Sequence, residues 1–266
     1  MNTAVREFRT CIQSTLANAQ AIPQFEVLLK TLQELGFYGI ELNLPELDSI
    51  SHQALQALLE QYDLKLHMLA TGAYAKGRNL SLSNADPQAR QRAIEGACAN
   101  IDYAAQMGCG IILGFFKGPK EGAENARALL ISSLKTLGPY AAEKGVSILL
   151  EATNRRETSL ANTIADTLSI LEEAGQPSVK LLADTYHMAI EEAPVEAGIL
   201  AYAKELEYLH ISDENRHFPG LGSLDFAKIY ASLRQVGFSG FLTIEGNILN
   251  SEIQDLRESA AYLSRL

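Results

Sequence analysis

The chain has few cysteines and no tryptophan, and this scarcity excludes some classes of protein. Its three cysteines, Cys11, Cys98 and Cys109, show no CxxC spacing. An odd number of cysteines without a metal-binding spacing argues against both a disulfide framework and a thiolate metal site. We therefore expect a protein of the reducing cytoplasm.

Long apolar runs are also missing. No stretch approaches the roughly 20 apolar residues that a membrane-spanning helix requires. The segment 1–10 contains Arg6, Glu7 and Arg9 where a secretory signal would have an apolar core. We predict no membrane partner and no export.

Positive charge is scarce. The 22 lysines and arginines are outnumbered by 32 aspartates and glutamates, which gives a formal net charge of -10. A nucleic-acid-binding protein must neutralise many phosphates and usually carries a basic face. The composition therefore argues against a nucleic-acid partner and favours small-molecule chemistry.

What the chain does have is a repeated alternation of short β-rich runs and longer amphipathic runs. With 47% hydrophobic residues, a chain of 266 residues can bury one large core. Eight strand-then-helix units without a dividing linker predict the α/β class, as a single (β/α)₈ TIM barrel forming one domain over residues 1–266. The predicted strands are 8–12, 39–42, 64–69, 110–114, 146–150, 179–183, 206–211 and 241–244.

The connections between these strands carry helix and loop signals. Apolar residues at three-to-four spacing predict a helix over 23–35, which Gly36 ends. The same pattern of an amphipathic run and a following glycine predicts helices over 134–144 and 226–236. We expect the unusually long segment 71–87 to act as a lid over the pocket and the segment 117–125 to be an exposed polar loop.

Four side chains able to bind a metal each close one of the apolar runs, namely Glu151, Asp184, His210 and Glu245. The carboxyl ends of parallel barrel strands open on one face, so these residues should converge there. One such residue alone would be read as a helix cap or an ordinary loop-start polar group. Four at the same strand position predict a metal site.

The donor types of that site predict which ion it holds. Three carboxylates and one imidazole offer mostly hard oxygen ligands. Mn²⁺ is the expected ion, Mg²⁺ or Co²⁺ are alternatives, and Zn²⁺ is favoured less. A further histidine, His67 in the third predicted strand, either contacts substrate or orients a neighbour by a hydrogen bond.

Motifs around these residues resemble those of the xylose-isomerase-like superfamily of sugar isomerases and epimerases, in particular its ketose 3-epimerase branch. The amino-terminal half matches more loosely, through GIE at 39–41 and NLSLS at 79–83, and its first strand lacks the aromatic-rich start common in that branch. The motifs of the carboxyl-terminal half, in order, are EATNR at 151–155, DTYHM at 184–188, HISDENR at 210–216, PGLG at 219–222 and EG at 245–246.

This resemblance implies roles for individual residues. It assigns the metal to the four side chains named above, and it places Glu157, His187 and Arg216 in contact with substrate oxygens. Each of these three has a plain structural alternative, as a helix-start charge, a packed loop residue and a surface ion-pair partner respectively. Members of this superfamily often associate, so we expect a homodimer or homotetramer.

Three further residues are candidates for the pocket or for supporting it. Asp213 would orient a metal ligand or Arg216, or else is a solvated loop acid. Phe115, Phe116 and Lys117, just beyond the fourth strand, would lie near the distal end of the substrate, where aromatic faces would favour sugar carbons and Lys117 could suit an anion. The alternative is that the aromatic pair Phe115 and Phe116 belongs to the core. The PGLG segment is expected to be a shaped turn and not a phosphate cradle.

Such a site suits proton removal beside a carbonyl. A divalent cation polarises the carbonyl of a sugar and stabilises the enediolate that follows. Glu151 and Glu245, on opposite sides of that plane, could remove the proton from one face and return it to the other, which epimerises C3 of a ketose. We therefore expect a metal-dependent sugar epimerase.

Several alternatives use the same ligands. Protonation at the neighbouring carbon would make the protein an aldose-ketose or hydroxypyruvate-type isomerase. A 3-keto-glycoside epimerase, a keto-polyol dehydratase and a sugar-binding barrel without turnover also fit. A repair endonuclease on this barrel would need a cluster of histidines and a basic face, whereas the chain is acidic and has five histidines in all.

Overall fold

Eight parallel strands close into a barrel in the computed structural model, which describes residues 4–122 and 124–266. Each strand pairs with the next, and the last pairs with the first. The predicted (β/α)₈ TIM-barrel fold is confirmed. The strands are β1 (Arg9–Thr15), β2 (Gly39–Asn43), β3 (Lys65–Ala70), β4 (Gly110–Leu113), β5 (Ile148–Glu151), β6 (Val179–Asp184), β7 (Tyr208–Ile211) and β8 (Phe241–Ile244).

Helices lie between the strands and around the barrel. Two 3₁₀ turns, Ala19–Ala21 and Phe115–Lys117, add to them. The helices are α1 (Ala4–Glu7), α2 (Ile22–Leu35), α3 (His52–Gln61), α4 (Gly72–Gly77), α5 (Pro87–Met107), α6 (Ala126–Glu143), α7 (Ile164–Ala174), α8 (Thr185–Glu191), α9 (Val195–Ala201), α10 (Phe226–Gln235) and α11 (Glu252–Leu263).

The glycine that follows α2 shows why a glycine marks the end of a helix in this sequence. Gly36 adopts a left-handed φ of 79° and its N–H bonds to the carbonyls of Leu32 and Gln33. A residue with a Cβ pays a steric penalty in this conformation, so glycine is the favoured stop. The predicted ends of α2, α6 and α10 are confirmed to within one residue, but α6 begins at Ala126, eight residues before the prediction, because its buried stripe starts there.

The predicted lid segment 71–87 is packed onto the barrel. It contains α4, whose Ala75 is buried, and it continues to Leu82, whose N–H donates to the carbonyl of Phe116 at 3.0 Å. The neighbouring predicted loop 117–125 is exposed over residues 119–122 and 124–125, but Lys117 at its start is fully buried, so that part of the prediction is wrong. Residue 123 of this loop and residues 1–3 lie outside the described ranges.

Two hydrophobic clusters hold the barrel and its helices together. The larger one fills the space between the strands and the surrounding helices. The smaller one lies inside the barrel, where Met68, Ile112, Leu149 and Leu182 meet. This inner plug closes the floor below the carboxyl ends of the strands, so that the mouth above it forms a cavity with a solid base. Within the described residues, the helices are all too short or too polar to cross a membrane.

Candidate metal centre and active site

Four side chains converge at the carboxyl mouth of the barrel, as the sequence pattern predicts. Glu151 ends β5, Asp184 ends β6, His210 lies in β7 and Glu245 directly follows β8. One ligand atom from each lies within 4.8 Å of the others. Glu151, Asp184 and His210 are buried and Glu245 is half-buried. The arrangement could hold a single cation.

The ring of His210 faces the carboxylates with its Nδ1 atom. This atom lies 2.5 Å from Glu245 Oε2 and 3.9 Å from both Glu151 Oε1 and Asp184 Oδ2. Burial alone would lower the pKa of His210, but Glu41 and Glu245 more than offset it and raise that pKa well above its usual value. The imidazole is therefore held in a strongly negative environment.

The opposite ring nitrogen of His210 is held by Glu41, a buried residue of β2. His210 Nε2 lies 3.0 Å from Glu41 Oε2, and Thr243 Oγ1 donates to Glu41 Oε1 at 2.6 Å. A metal-binding histidine commonly donates its second ring N–H to a carboxylate, which fixes the tautomer and leaves the other nitrogen for the metal. Sequence reasoning missed this role of Glu41, although an acid inside the otherwise apolar strand 39–42 was the signal for it.

Two observations show that the residues fit a divalent cation. Glu151 Oε1 is buried without a hydrogen-bond partner among residues 4–122 and 124–266, which is costly for a carboxylate oxygen unless something else satisfies it. A Cβ placed on Gly114 would lie 2.2 Å from Glu151 Oε2, so glycine makes the space that the carboxylate occupies. Three carboxylates and one imidazole form a donor set typical of Mn²⁺ or Mg²⁺ sites.

Arg216 brings positive charge to the same cluster. It adopts a left-handed φ of 65° in the loop after β7 and places its guanidinium 4.8 Å from the ring centroid of Tyr186. Nη1 donates to Asp184 Oδ2, and Nη2 lies 3.0 Å from Glu245 Oε2. Burial raises the pKa of Glu245, but Arg216 and His210 outweigh burial and hold that pKa well below its usual range.

Two more predicted substrate contacts lie at the cavity. His187 Nε2 is 3.5 Å from Glu151 Oε1, and Asn154 Nδ2 lies 2.7 Å from His187 Nδ1. Glu157, which starts no helix, lines the cavity with its Oε1 atom 3.4 Å from the same Asn154 amide. Asn154 therefore sets the position of both neighbours, and it is a further residue whose role the sequence motif did not reveal.

The cavity above the cluster has a volume of about 140 Å³, and its two halves differ in charge. Strands β1 to β4 and the loops after them contribute neutral lining residues only, as far as the described chain extends, including Gln13, Asn43, Ala70, Gly114 and Phe115. The ionisable lining residues come from the second half of the chain and are Glu151, Glu157, His187, His210, Arg216 and Glu245.

His67 lies below the site and does not line the cavity. It is three residues short of the end of β3, and its ring stacks on Phe241 at 3.7 Å between ring centroids. Tyr38 and Tyr208 lie beside it. Burial lowers its pKa to about 4. The expectation that His67 contacts substrate is wrong, because its position along the strand places it in the aromatic packing near the amino end.

The turn after β4 reverses two expectations. Phe116 is fully buried, so it belongs to the core, whereas Phe115 is 48% exposed and lines the cavity. Lys117 has no exposed surface, and its Nζ donates to the backbone oxygen of Glu151 and to Thr153 Oγ1. It faces neither the cavity nor an anion, because the 3₁₀ turn directs it behind the end of β5.

Asp213 organises the loop after β7. Its carboxylate accepts hydrogen bonds from the backbone N–H groups of Gly220 at 2.8 Å, Gly222 at 3.0 Å and Leu224 at 2.8 Å. The carboxylate therefore holds the loop and not a metal ligand, whereas the Asp213 carbonyl accepts from the N–H of Arg216 at 2.9 Å, so an orienting role toward Arg216 stays a prediction. The PGLG segment at 219–222 wraps around this carboxylate, which agrees with the prediction of a shaped turn.

Known proteins are similar to this chain in both sequence and structure. An L-ribulose 3-epimerase from Methylomonas sp. (strain DH-1) is 34% identical over 227 residues, which cover 83% of this chain and 77% of that protein. A 3-dehydro-D-guloside 4-epimerase from Escherichia coli (strain K12) is 33% identical over 138 residues, which cover 52% of this chain and 53% of that protein.

Among solved structures, D-allulose 3-epimerase from Methylomonas sp. in complex with D-allulose superposes with a TM-score of 0.81 at 25% identity. The superposition covers 97% of this chain and 96% of that one. The family model described as xylose isomerase-like TIM barrel matches residues 29–266. Because this match spans most of the chain and agrees with the barrel and the mouth described above, the protein belongs to the xylose isomerase-like TIM-barrel family.

Proposed function

We propose that the protein is a divalent-metal-dependent sugar epimerase that inverts C3, the carbon next to the carbonyl of a ketose. The observation that carries this proposal is the meeting of Glu151 and Glu245 with Asp184 and His210, within 4.8 Å of one another, at the mouth of the barrel. Similarity to an L-ribulose 3-epimerase over 83% of the chain supports it.

In this proposal the metal ligands are Glu151, Asp184, His210 and Glu245, and the ion is Mn²⁺, with Mg²⁺ or Co²⁺ as substitutes. A bound divalent ion supplies positive charge that acidifies the proton beside the carbonyl and stabilises the resulting enediolate. The same donor set serves Zn²⁺ less well, because most of its atoms are hard carboxylate oxygens.

The proton transfers fall to the two glutamates. One carboxylate accepts the proton from C3, and the other delivers a proton to the opposite face of the same carbon, which inverts it. Arg216 and His210 keep Glu245 ionised, so the unprotonated form that a base requires is the one present at neutral pH. Each glutamate would bind the metal through one carboxylate oxygen and use the other for the proton, and Glu151 Oε1, which lacks a hydrogen-bond partner among the described residues, is the oxygen left for the metal.

Substrate contacts in this proposal come from Glu157, His187 and Arg216. Arg216 is the one lysine or arginine that lines the cavity among residues 4–122 and 124–266, and it is already paired with Asp184 and Glu245. A phosphate group would therefore find no free cation here. We propose a neutral sugar as the substrate, with its carbons against the exposed ring of Phe115.

A second candidate function is epimerisation of a 3-keto glycoside. A wider polar groove of about 930 Å³ shares Gln13, Glu157, Arg216 and Glu245 with the cavity, so a glycosidic substituent could extend into it. Similarity to a 3-dehydro-D-guloside 4-epimerase over half of the chain also favours this candidate. The two substrates differ in the carbon that exchanges its proton: C3 in the ketose, and a carbon beside the C3 carbonyl in the 3-keto glycoside.

The experiment that tests the proposal follows deuterium from solvent into the sugar. The purified protein with Mn²⁺ is incubated in D₂O with free ketoses, ketose phosphates and 3-keto glycosides, and NMR locates the label. Deuterium at C3 with an inverted free ketose supports the proposal, and label beside the carbonyl of a 3-keto glycoside supports the second candidate. Label at C1 would indicate an aldose-ketose isomerase, and loss of water a dehydratase.

No exchange into any sugar, with metal bound, would favour a binding protein and contradict the proposal.

We also propose that residues 1–266 form one domain, that the protein works in the cytoplasm, and that it assembles as a homodimer or homotetramer. Multi-angle light scattering of the purified protein measures the number of subunits directly.

A further inference from the structure

Lys117 is a buried cation that the proposed reaction does not use. It lies at the end of the 3₁₀ turn after β4 and has no exposed surface. Its Nζ lies 2.5 Å from the backbone oxygen of Glu151 and 2.5 Å from Thr153 Oγ1. Burying an ammonium group costs free energy because the group loses its water. The hydrogen bonds to these two acceptors offset that cost.

The acceptor that matters is the carbonyl of Glu151. This residue is the last of β5. The N–H of Ala152 still bonds to the carbonyl of Leu182 in β6, but the N–H of Thr153 leaves the sheet and bonds to the carbonyl of Ala161. Lys117 therefore binds the peptide at the point where the strand ends. The orientation of this peptide decides where the Glu151 side chain points.

The turn that carries Lys117 is itself clamped from both sides. The carbonyl of Phe116 accepts from the N–H of Leu82 at 3.0 Å, and the carbonyl of Gly118 accepts from Thr158 Oγ1 at 3.0 Å. A Cβ on Gly118 would lie 2.1 Å from Ser83 Oγ, which shows how closely segment 71–87 packs on the turn. The ammonium group is thus presented by a rigid support, as a residue that positions another must be.

We propose that Lys117 is a positioning residue that fixes the end of β5 so that the Glu151 carboxylate faces both the metal site and one face of the sugar. It contacts the backbone of Glu151 and not the substrate. The metal part of this inference needs only the ligand cluster, whereas the proton-transfer part rests on the proposed epimerase function.

The first test measures Mn²⁺ affinity by calorimetry, with no sugar present. Lys117→Met keeps most of the length of the side chain but removes its hydrogen bonds, and we expect Mn²⁺ affinity to fall about 10- to 100-fold, the range typical when the support of a metal ligand is lost. Lys120→Met, an exposed lysine of the same loop, controls for the loss of charge. Ser178→Ala, which loses a side-chain hydrogen bond to the carbonyl of Gly138, controls for the loss of a half-buried donor.

The second test uses C3-deuterated sugars in both directions of the epimerisation. If Lys117 acts on Glu151 alone, only the proton transfer at one face slows in Lys117→Met. The primary isotope effect on kcat should then rise in the direction in which Glu151 removes the label and fall in the reverse direction. A general defect of folding would lower kcat in both directions and leave both isotope effects unchanged.

Unchanged Mn²⁺ affinity in Lys117→Met would overturn the metal part of the inference, and isotope effects unchanged from the wild-type protein in both directions would overturn the proton-transfer part. If the wild-type protein exchanges no label, the epimerase proposal fails, while the calorimetric result still decides the role of Lys117 at the metal site. If Lys117→Met does not fold, Lys117→Gln replaces it in both tests. Its side chain keeps a donor but is one bond shorter, so we expect a smaller loss of Mn²⁺ affinity.

Discussion

The two ends of the barrel interior contain a histidine each, and their surroundings are opposite. His67 near the amino end stacks on Phe241 with Tyr208 beside it, and burial lowers its pKa to about 4. His210 at the mouth lies between Glu41 and Glu245, which raise its pKa despite complete burial. One strand serves both ends, since β7 supplies both Tyr208 and His210.

This contrast teaches that position along the strand decides the role of a side chain in this fold. Residues at the carboxyl end meet charged partners and could bind a metal, whereas residues two or three positions earlier pack on apolar neighbours. The amino end should therefore respond to mutation through stability and the carboxyl end through chemistry. The following predictions test that division, beginning with the largest expected effect.

Glu245→Gln should reduce turnover by about 10²- to 10⁴-fold, because an amide cannot accept or deliver the proton that general acid-base catalysis moves. The measurement is kcat for epimerisation, with bound Mn²⁺ verified in the same sample. Glu207→Gln, at the amino end and paired with Lys180, is the matched control and should keep its activity. Near-normal turnover of Glu245→Gln with metal bound would show that Glu245 is not an acid-base residue.

Gly114→Ala should lower kcat by about 10²-fold, the loss expected when a reacting group is displaced by about 1 Å. The added Cβ would lie 2.2 Å from Glu151 Oε2, so the carboxylate must move. Gly77→Ala is the control, because its Cβ meets nothing within 4 Å. If Gly114→Ala were fully active, the observed position of Glu151 would not be the one used in the reaction.

Glu41→Gln should weaken Mn²⁺ binding about 10- to 100-fold, the usual effect of removing the partner of a metal-binding histidine. Thr243 would still donate to the remaining oxygen, but the amide N–H could not accept from His210 Nε2. Isothermal calorimetry with Mn²⁺ measures the change. Affinity equal to that of the wild-type protein would mean that Glu41 serves the fold and not the metal site.

His67→Phe tests the amino end and should have the smallest effect. The pKa of His67 is about 4 in the folded protein and 6.5 in the unfolded chain, so the unfolded chain takes up a proton first as the pH falls. Between pH 7.5 and 5.5 the wild-type protein should therefore lose about 1 kcal/mol more unfolding free energy than the variant. Urea unfolding measures this difference. A change in kcat at pH 7.5 would contradict the assignment of stability to the amino end and chemistry to the carboxyl end.

The fold and the four potential ligands could be predicted because both depend on local patterns. Alternating apolar and amphipathic runs locate the strands, and each of the four residues stands at or near a strand end, where the topology determines the face. The spacing of Gly36 after its helix fixed an element boundary in the same way.

The supporting contacts could not be predicted, because they join residues that are distant in sequence. Glu41 and His210 are 169 positions apart, and only the closed barrel brings them together. Lys117 stands in a stretch whose composition indicates an exposed loop, yet the turn buries it. Whether Phe115 or Phe116 enters the core depends on the geometry of a three-residue turn. Hydrophobic periodicity cannot be read over so few residues.

The split of the cavity into a neutral half and a charged half has a consequence for how this protein can diverge. Among the described residues, the ionisable lining residues come from the second half of the chain, whereas β1 to β4 offer small, amide and aromatic groups. Substitutions at Gln13, Asn43, Ala70 or Phe115 can reshape the wall that meets the sugar while every potential ligand stays in place. Selection for a new substrate can therefore act at these wall positions without replacing any potential metal ligand.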